Sequence, residues 1–153
     1  MRFTPMPSAM PGSLKFVRVL LIVMAAFLGL NTLGRLGIVA AFGVTDGMPG
    51  LVGMALLAIV GASFLLACIG GFFLVGVRAR RHWWLVLCTP VLGFANIAAA
   101  IAVIPEAHIG AWTVIDVYLF NGILPLVVTG LLLKRSARVY FGISRPATKA
   151  KAA

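Results

Sequence analysis

Acidic residues are almost missing from this chain: Asp46, Glu106 and Asp116 are the only three. Charged residues of both signs make up 10% of it, where a soluble domain carries roughly a quarter. So few charges cannot cover a water-facing surface, which excludes an ordinary soluble domain. The same scarcity leaves no carboxylate dyad, and the side expected to face the cytoplasm has no acidic residue at all, which excludes an ordinary magnesium site there. Cysteine is nearly as rare. Cys68 and Cys88 both fall inside apolar runs, form no CxxC pair and have no neighbours at metal-ligand spacing. They are expected to be free thiols that act as small buried hydrophobes.

Histidine occurs only at His82 and His108. These two are expected on opposite membrane faces, where they cannot share one haem. His108 follows Glu106 by two positions, yet a metal would need more ligands than this pair supplies. No nucleophile–base pair and no Gly-rich phosphate loop can be assembled. The sequence therefore predicts no enzyme, no cofactor and no metal.

Apolar length is what the chain has in abundance. It is 62% hydrophobic over 153 residues, with a mean hydropathy of +1.12. A helix needs about 20 mostly apolar residues to cross the hydrocarbon layer. Four stretches qualify, at about 16–42, 50–77, 83–104 and 111–133. Pro11-Gly12-Ser13 precedes the first, with Ser13 a candidate N-cap. The breaks, Gly43 to Pro49, Arg78 to His82 and Pro105 to Gly110, are short, so successive helices should be antiparallel neighbours. The expected fold is an all-α membrane protein, an antiparallel four-helix transmembrane bundle. Residues 1–15 form a leading segment, 16–133 the bundle, and 134–153 a basic tail that is partly disordered, above all from Arg145 onward.

The formal net charge of +10 would suit nucleic acid if it lay on a soluble surface. Here it sits in three clusters beside the apolar runs. Arg2, Lys15 and Arg18 precede the first span, and Arg78, Arg80 and Arg81 separate the second and third. Lys134, Arg135, Arg138, Arg145, Lys149 and Lys151 follow the fourth. Placing those ends in the cytoplasm puts twelve of the thirteen basic residues inside, as the positive-inside rule requires. Both termini are then cytoplasmic in a multi-pass protein of the cell membrane. The expected partner is anionic lipid, contacted by Arg78, Arg80, Arg81, Lys134, Arg135 and Arg138; nucleic acid is not expected.

Trp83-Trp84, Tyr140-Phe141 and Trp112 mark the two interfaces as an aromatic belt. A cleavable signal peptide ending near Ala41-Phe42-Gly43 is the rival for the first span. The apolar stretch is too long for that and contains Arg35, so an uncleaved helix is expected.

One polar layer interrupts the apolar spans. At 1.5 Å per residue, Arg35 lies roughly 10 Å from the outer boundary and Asp116 roughly 8 Å, with Asn31, Asn96 and Asn121 at roughly 12–17 Å. Pro125 lacks an N–H, so the carbonyl of Asn121 loses its usual intrahelical partner. Ionisable groups inside membranes face the bundle interior and pair, which makes Arg35 with Asp116 a candidate ion pair. Three readings stay open: a polar pocket for a small ligand or ion, an ion pair with amide bonds that sets helix register, or Arg35 snorkelling to the headgroups. In the second span Ser63, Ala67 and Gly71 repeat every four positions, with Ala58 and Ala62 beside them. Such ladders let backbones approach closely, within one chain or between two copies.

The two ends of the apolar region carry a likeness. Pro11-Gly12-Ser13-Leu14-Lys15 and the run from Leu131 through Lys134, Ser136 and Arg138 to Tyr140-Phe141 resemble the ends of small actinobacterial four-helix integral membrane proteins. That resemblance implies four helices and cytoplasmic ends, and supplies no activity. Small multidrug transporters depend on a glutamate in the first helix, and vitamin K epoxide reductase-like proteins on a CxxC pair; neither is present. Glutathione-dependent membrane enzymes want more polar residues on the cytoplasmic side than these helices hold. The sequence thus predicts a non-catalytic structural or accessory membrane component, with a homo-oligomer or a membrane complex as the candidate assembly. The alternative is a small oligomeric transporter or channel using Arg35, Asp116, Asn31, Asn96 and Asn121.

Overall fold

The computed structural model describes residues 9–42, 48–103 and 115–144. All regular structure among them is helical. Helix α1 runs Gly12–Phe42 and α2 Met48–Leu74. Two shorter helices follow, α3 at Arg80–Leu87 and α4 at Thr89–Val103. A π-helical segment, π1, covers Ile115–Ile123 and leads directly into α5, Leu124–Leu133. A last turn and a half, α6, spans Arg135–Tyr140.

Three stretches are long and apolar enough to cross a membrane: Gly12–Gly34, Ala55–Leu74 and Arg80–Ala102. Tyr118–Leu133 is a shorter apolar helix. Large apolar side chains such as Leu30, Ile59, Leu66, Val91 and Ile101 stand exposed on these helices. So many exposed large apolar side chains suit lipid rather than water.

The first helix opens differently from the expectation. Pro11 supplies the first carbonyl, accepting from the N–H groups of Leu14 and Lys15 at 2.9 and 3.2 Å. Ser13 is already inside the helix, and its buried hydroxyl has no partner among the described residues. It is therefore no N-cap. The second helix stops at Leu74, three residues short of the expected end. The Arg78–His82 break is also shorter than expected, since Arg80 to His82 form the first turn of α3.

The third apolar stretch is interrupted at Cys88. Pro90 has no N–H, and its ring conflicts with the carbonyl four residues back. The chain answers with a turn there: Cys88 donates to Trp84 and Leu85 at 3.1 and 3.2 Å, and Val91 donates to the Cys88 carbonyl at 3.1 Å. The buried stripe on this side is Trp83, Val86, Pro90, Gly93 and Asn96. Cys88 lies off that stripe and is exposed, whereas Cys68 is buried. The expectation of two buried cysteines fails for Cys88, because an apolar run in a membrane does not distinguish an inward from an outward face.

The core runs along the inside of these elements. Leu14, Val17, Leu21, Met24 and Leu28 of α1 pack with Phe64 and Cys68 of α2, Trp83 and Val86 of α3, and Val128 and Leu132 of α5. Helix α1 touches α2 on one side and α5 and π1 on the other, α2 touches α4, and α4 touches π1. The small-residue ladder of α2 twists through this arrangement. A β-carbon on Gly71 would lie 3.2 Å from Leu21 and 3.6 Å from Val86, so this glycine lets three helices converge within one chain. Ser63 at the other end of the ladder is exposed and donates back to the Ile59 carbonyl at 2.9 Å.

Candidate functional site

Of the five residues expected in the polar layer, the structure joins two. Asn96 of α4 donates from Nδ2 to Oδ1 of Asn121 in π1 at 2.7 Å. Both asparagines are 1% exposed. An amide in an apolar interior costs free energy unless it is hydrogen-bonded, and a pair that satisfies each other across two helices reduces that cost. Asn31 sits half-buried on α1. The side chains of Arg35 and Asp116, and with them the expected ion pair, lie outside the described residues.

The backbone around Asn121 explains why the pair forms there. Pro125 removes the N–H that would have bonded the Asn121 carbonyl. The helix responds by widening: Ile115–Ile123 adopts the π form, in which the ladder steps to the fifth residue instead of the fourth. The Asn121 carbonyl turns toward α4 and meets Gly93. A β-carbon on Gly93 would lie 2.7 Å from that oxygen and 3.2 Å from both Phe64 and Pro125. Only a glycine fits. Further along α5 the Thr129 hydroxyl donates to the Pro125 carbonyl at 2.9 Å. The rings of Phe27 and Phe120 stack with centroids 3.6 Å apart, seating π1 against α1 one residue from Asn121.

The sequence pointed to Asn96, Asn121 and Pro125 but not to Gly93 or to the π form. A glycine three residues before Asn96 on the same helix was the available signal. It reads as one small residue among many until its neighbour is known.

The basic end forms a second polar region. Trp83, one of the residues of the expected interfacial belt, packs inside the protein, and its indole N–H donates to the Leu132 carbonyl at 3.0 Å. Trp84 is exposed beside it, its ring edge-on to Trp83 at 4.6 Å. His82 is buried too. Its Nε2 accepts from Arg81 Nε at 3.3 Å. The guanidinium of Arg18 lies over the Phe72 ring at 4.4 Å, a contact that favours a cation over the negative aromatic face. Arg78, Arg80, Arg81, Lys134, Arg135 and Arg138, the expected lipid contacts, are all exposed. The described residues contain no group of three or more metal-ligating side chains.

Comparison with protein-family models, with characterised proteins and with solved structures finds no match to this chain.

Proposed function

We propose that the chain is a four-helix transmembrane bundle with antiparallel neighbours and cytoplasmic termini, serving as a non-catalytic structural or accessory component of the cell membrane. The observation that carries this reading is the closure of Asn96 on Asn121 inside the chain. A polar pair satisfied within the protein fixes helix register; a pair lining a pathway would face an aqueous cavity instead.

The contacts support the four-helix reading. Leu21 meets Gly71 while Gly29 meets Leu65, so α1 and α2 run in opposite directions. Trp83 meets Leu132 and Asn96 meets Asn121, which gives the same relation between α3–α4 and π1–α5. Taken together, π1 and α5 reach about the thickness of the hydrocarbon layer. The likeness of the terminal segments to small actinobacterial membrane proteins favours the same layout.

A second reading has one observation in its favour. Helical π segments occur often at functional sites, and here one carries the buried asparagine. A small oligomeric transporter or channel would place its ligand at this layer.

Affinity purification of the tagged chain in mild detergent separates the two. A stoichiometric protein partner is the expected result. A homo-oligomer without other protein, together with solute flux in proteoliposomes that Asn96→Leu abolishes, would overturn the accessory reading in favour of transport.

A further inference from the structure

The segment after the last apolar helix is not a loose tail. Ala137, Tyr140 and Phe141 are buried in the same cluster as Leu14 and Val17 of α1, and Ile143 packs against it. The helix also has a defined end. Gly142 takes φ of +73°, the left-handed conformation that glycine adopts without steric cost. It donates to the Val139 carbonyl at 3.0 Å, and Ile143 donates to the Arg138 carbonyl at 2.8 Å. This is the hydrogen-bond pattern of a glycine C-cap.

Two contacts tie this helix to the turn between α2 and α3. The Tyr140 hydroxyl donates to the Gly76 carbonyl in a long hydrogen bond of 3.5 Å. The Arg78 guanidinium lies over the Tyr140 ring, 5.0 Å from its centroid. Arg78 is thereby held against the short helix that carries Arg135 and Arg138, although more than fifty residues of chain separate them. No carboxylate is present among the described side chains to neutralise these cations.

The apolar surroundings define what could. Val77 beside Arg78, Trp84 one turn beyond Arg80 and Arg81, and Leu133 beside Lys134 are all exposed. A ligand that meets the cations must therefore lay an apolar body along the helices while presenting an anionic group at their end. An acidic protein segment supplies the charge without that body.

We propose that Arg78, held over the Tyr140 ring where Tyr140 docks onto the α2–α3 turn, is a preorganised contact for the phosphate of an anionic phospholipid, with Arg135 and Arg138 adding positive charge from the same short helix. This rests on the reading that the basic end lies at a membrane surface. It differs from the general attraction of a basic patch for anionic headgroups, which follows charge and needs no fixed geometry. Arginine forks match phosphate oxygens in pairs, so holding the fork of Arg78 in place should add selectivity.

Native mass spectrometry of the full chain in mild detergent, with phosphatidylglycerol and phosphatidylcholine of matched acyl chains, tests this. Phosphatidylglycerol should be retained in preference. Tyr140→Ala removes no charge and should weaken that retention about tenfold, the effect of roughly one strong contact. Tyr140→Phe, which keeps the ring under Arg78, should retain most of it. If Tyr140→Ala does not fold, Arg78→Gln should still weaken retention clearly more than Lys15→Gln, which removes the same charge from α1. Millimolar inorganic phosphate should leave the lipid bound.

Equal retention of the two lipids, or of phosphatidylglycerol by the native chain and a folded Tyr140→Ala, would overturn the proposal. So would equal effects of Arg78→Gln and Lys15→Gln, displacement of the lipid by inorganic phosphate, or an acidic protein occupying the site instead. Failure of the membrane reading shows separately, as release of the native chain from membranes by alkaline carbonate.

Discussion

Gly93 and Asn121 approach so closely that a β-carbon on residue 93 would lie 2.7 Å from the Asn121 carbonyl oxygen. The obstacle is backbone, which cannot rotate aside as a side chain can. Close-packed interiors register even one added methyl group.

Gly93→Ala should therefore lower thermal stability in detergent by about 1–3 kcal/mol, the usual range for an overpacked core. Gly70→Ala is the control, because nothing lies within 4 Å of a β-carbon there. It should be neutral or slightly stabilising, since alanine is the better helix former. Similar melting shifts for the two variants would show that the α4–π1 contact is not tight.

The Asn96–Asn121 hydrogen bond predicts coupling between the two positions. Asn96→Ala and Asn121→Ala should each destabilise the chain, and the double variant should lose less than the sum. Interhelical hydrogen bonds of this kind couple by about 0.6 kcal/mol on average and up to about 1.7. A double-mutant cycle read by thermal unfolding measures the term. Strict additivity would mean that the bond contributes nothing, and the register role would go with it.

Much of this arrangement was legible in the sequence, and the reasons for the rest are specific. Long apolar runs bounded by arginines and lysines announce helices because only a helix satisfies its backbone within a single segment in lipid. Pro125 announced a lost hydrogen bond at Asn121. Whether a helix kinks, breaks or widens there depends on the space beside it, and Gly93 on another helix provides that space. Pro90 produced the opposite response, a turn at Cys88 that divides the third apolar stretch. Trp83 and Cys88 show a second limit. Both sides of a membrane helix are apolar, so composition alone did not reveal that Trp83 turns inward to Leu132 or that Cys88 turns outward.

The cysteines make that difference measurable. In the native chain in detergent, a lipid-soluble maleimide should modify Cys88 first, and Cys68 should react only after unfolding. Both should be reduced at purification, as expected of thiols near a cytoplasmic face. Intact-mass analysis counts the adducts. Faster modification of Cys68, or a native disulfide, would contradict the packing of α2 against α1 and α3.

Membrane topology tests the central claim most directly. A reporter fused after Ala153 should be active only in the cytoplasm, because the basic clusters flank the inner ends. In a cysteine-free background, cysteines placed at Asp46 and at Ala107 should each label with an impermeant maleimide from outside intact cells. Together with an N-terminal reporter active only in the cytoplasm and protection of a cysteine placed at Ala79, that combination requires four crossings. Labelling at Asp46 with an externally active fusion would mean an odd number of spans, and protection of both positions would invert the orientation; either result contradicts the account.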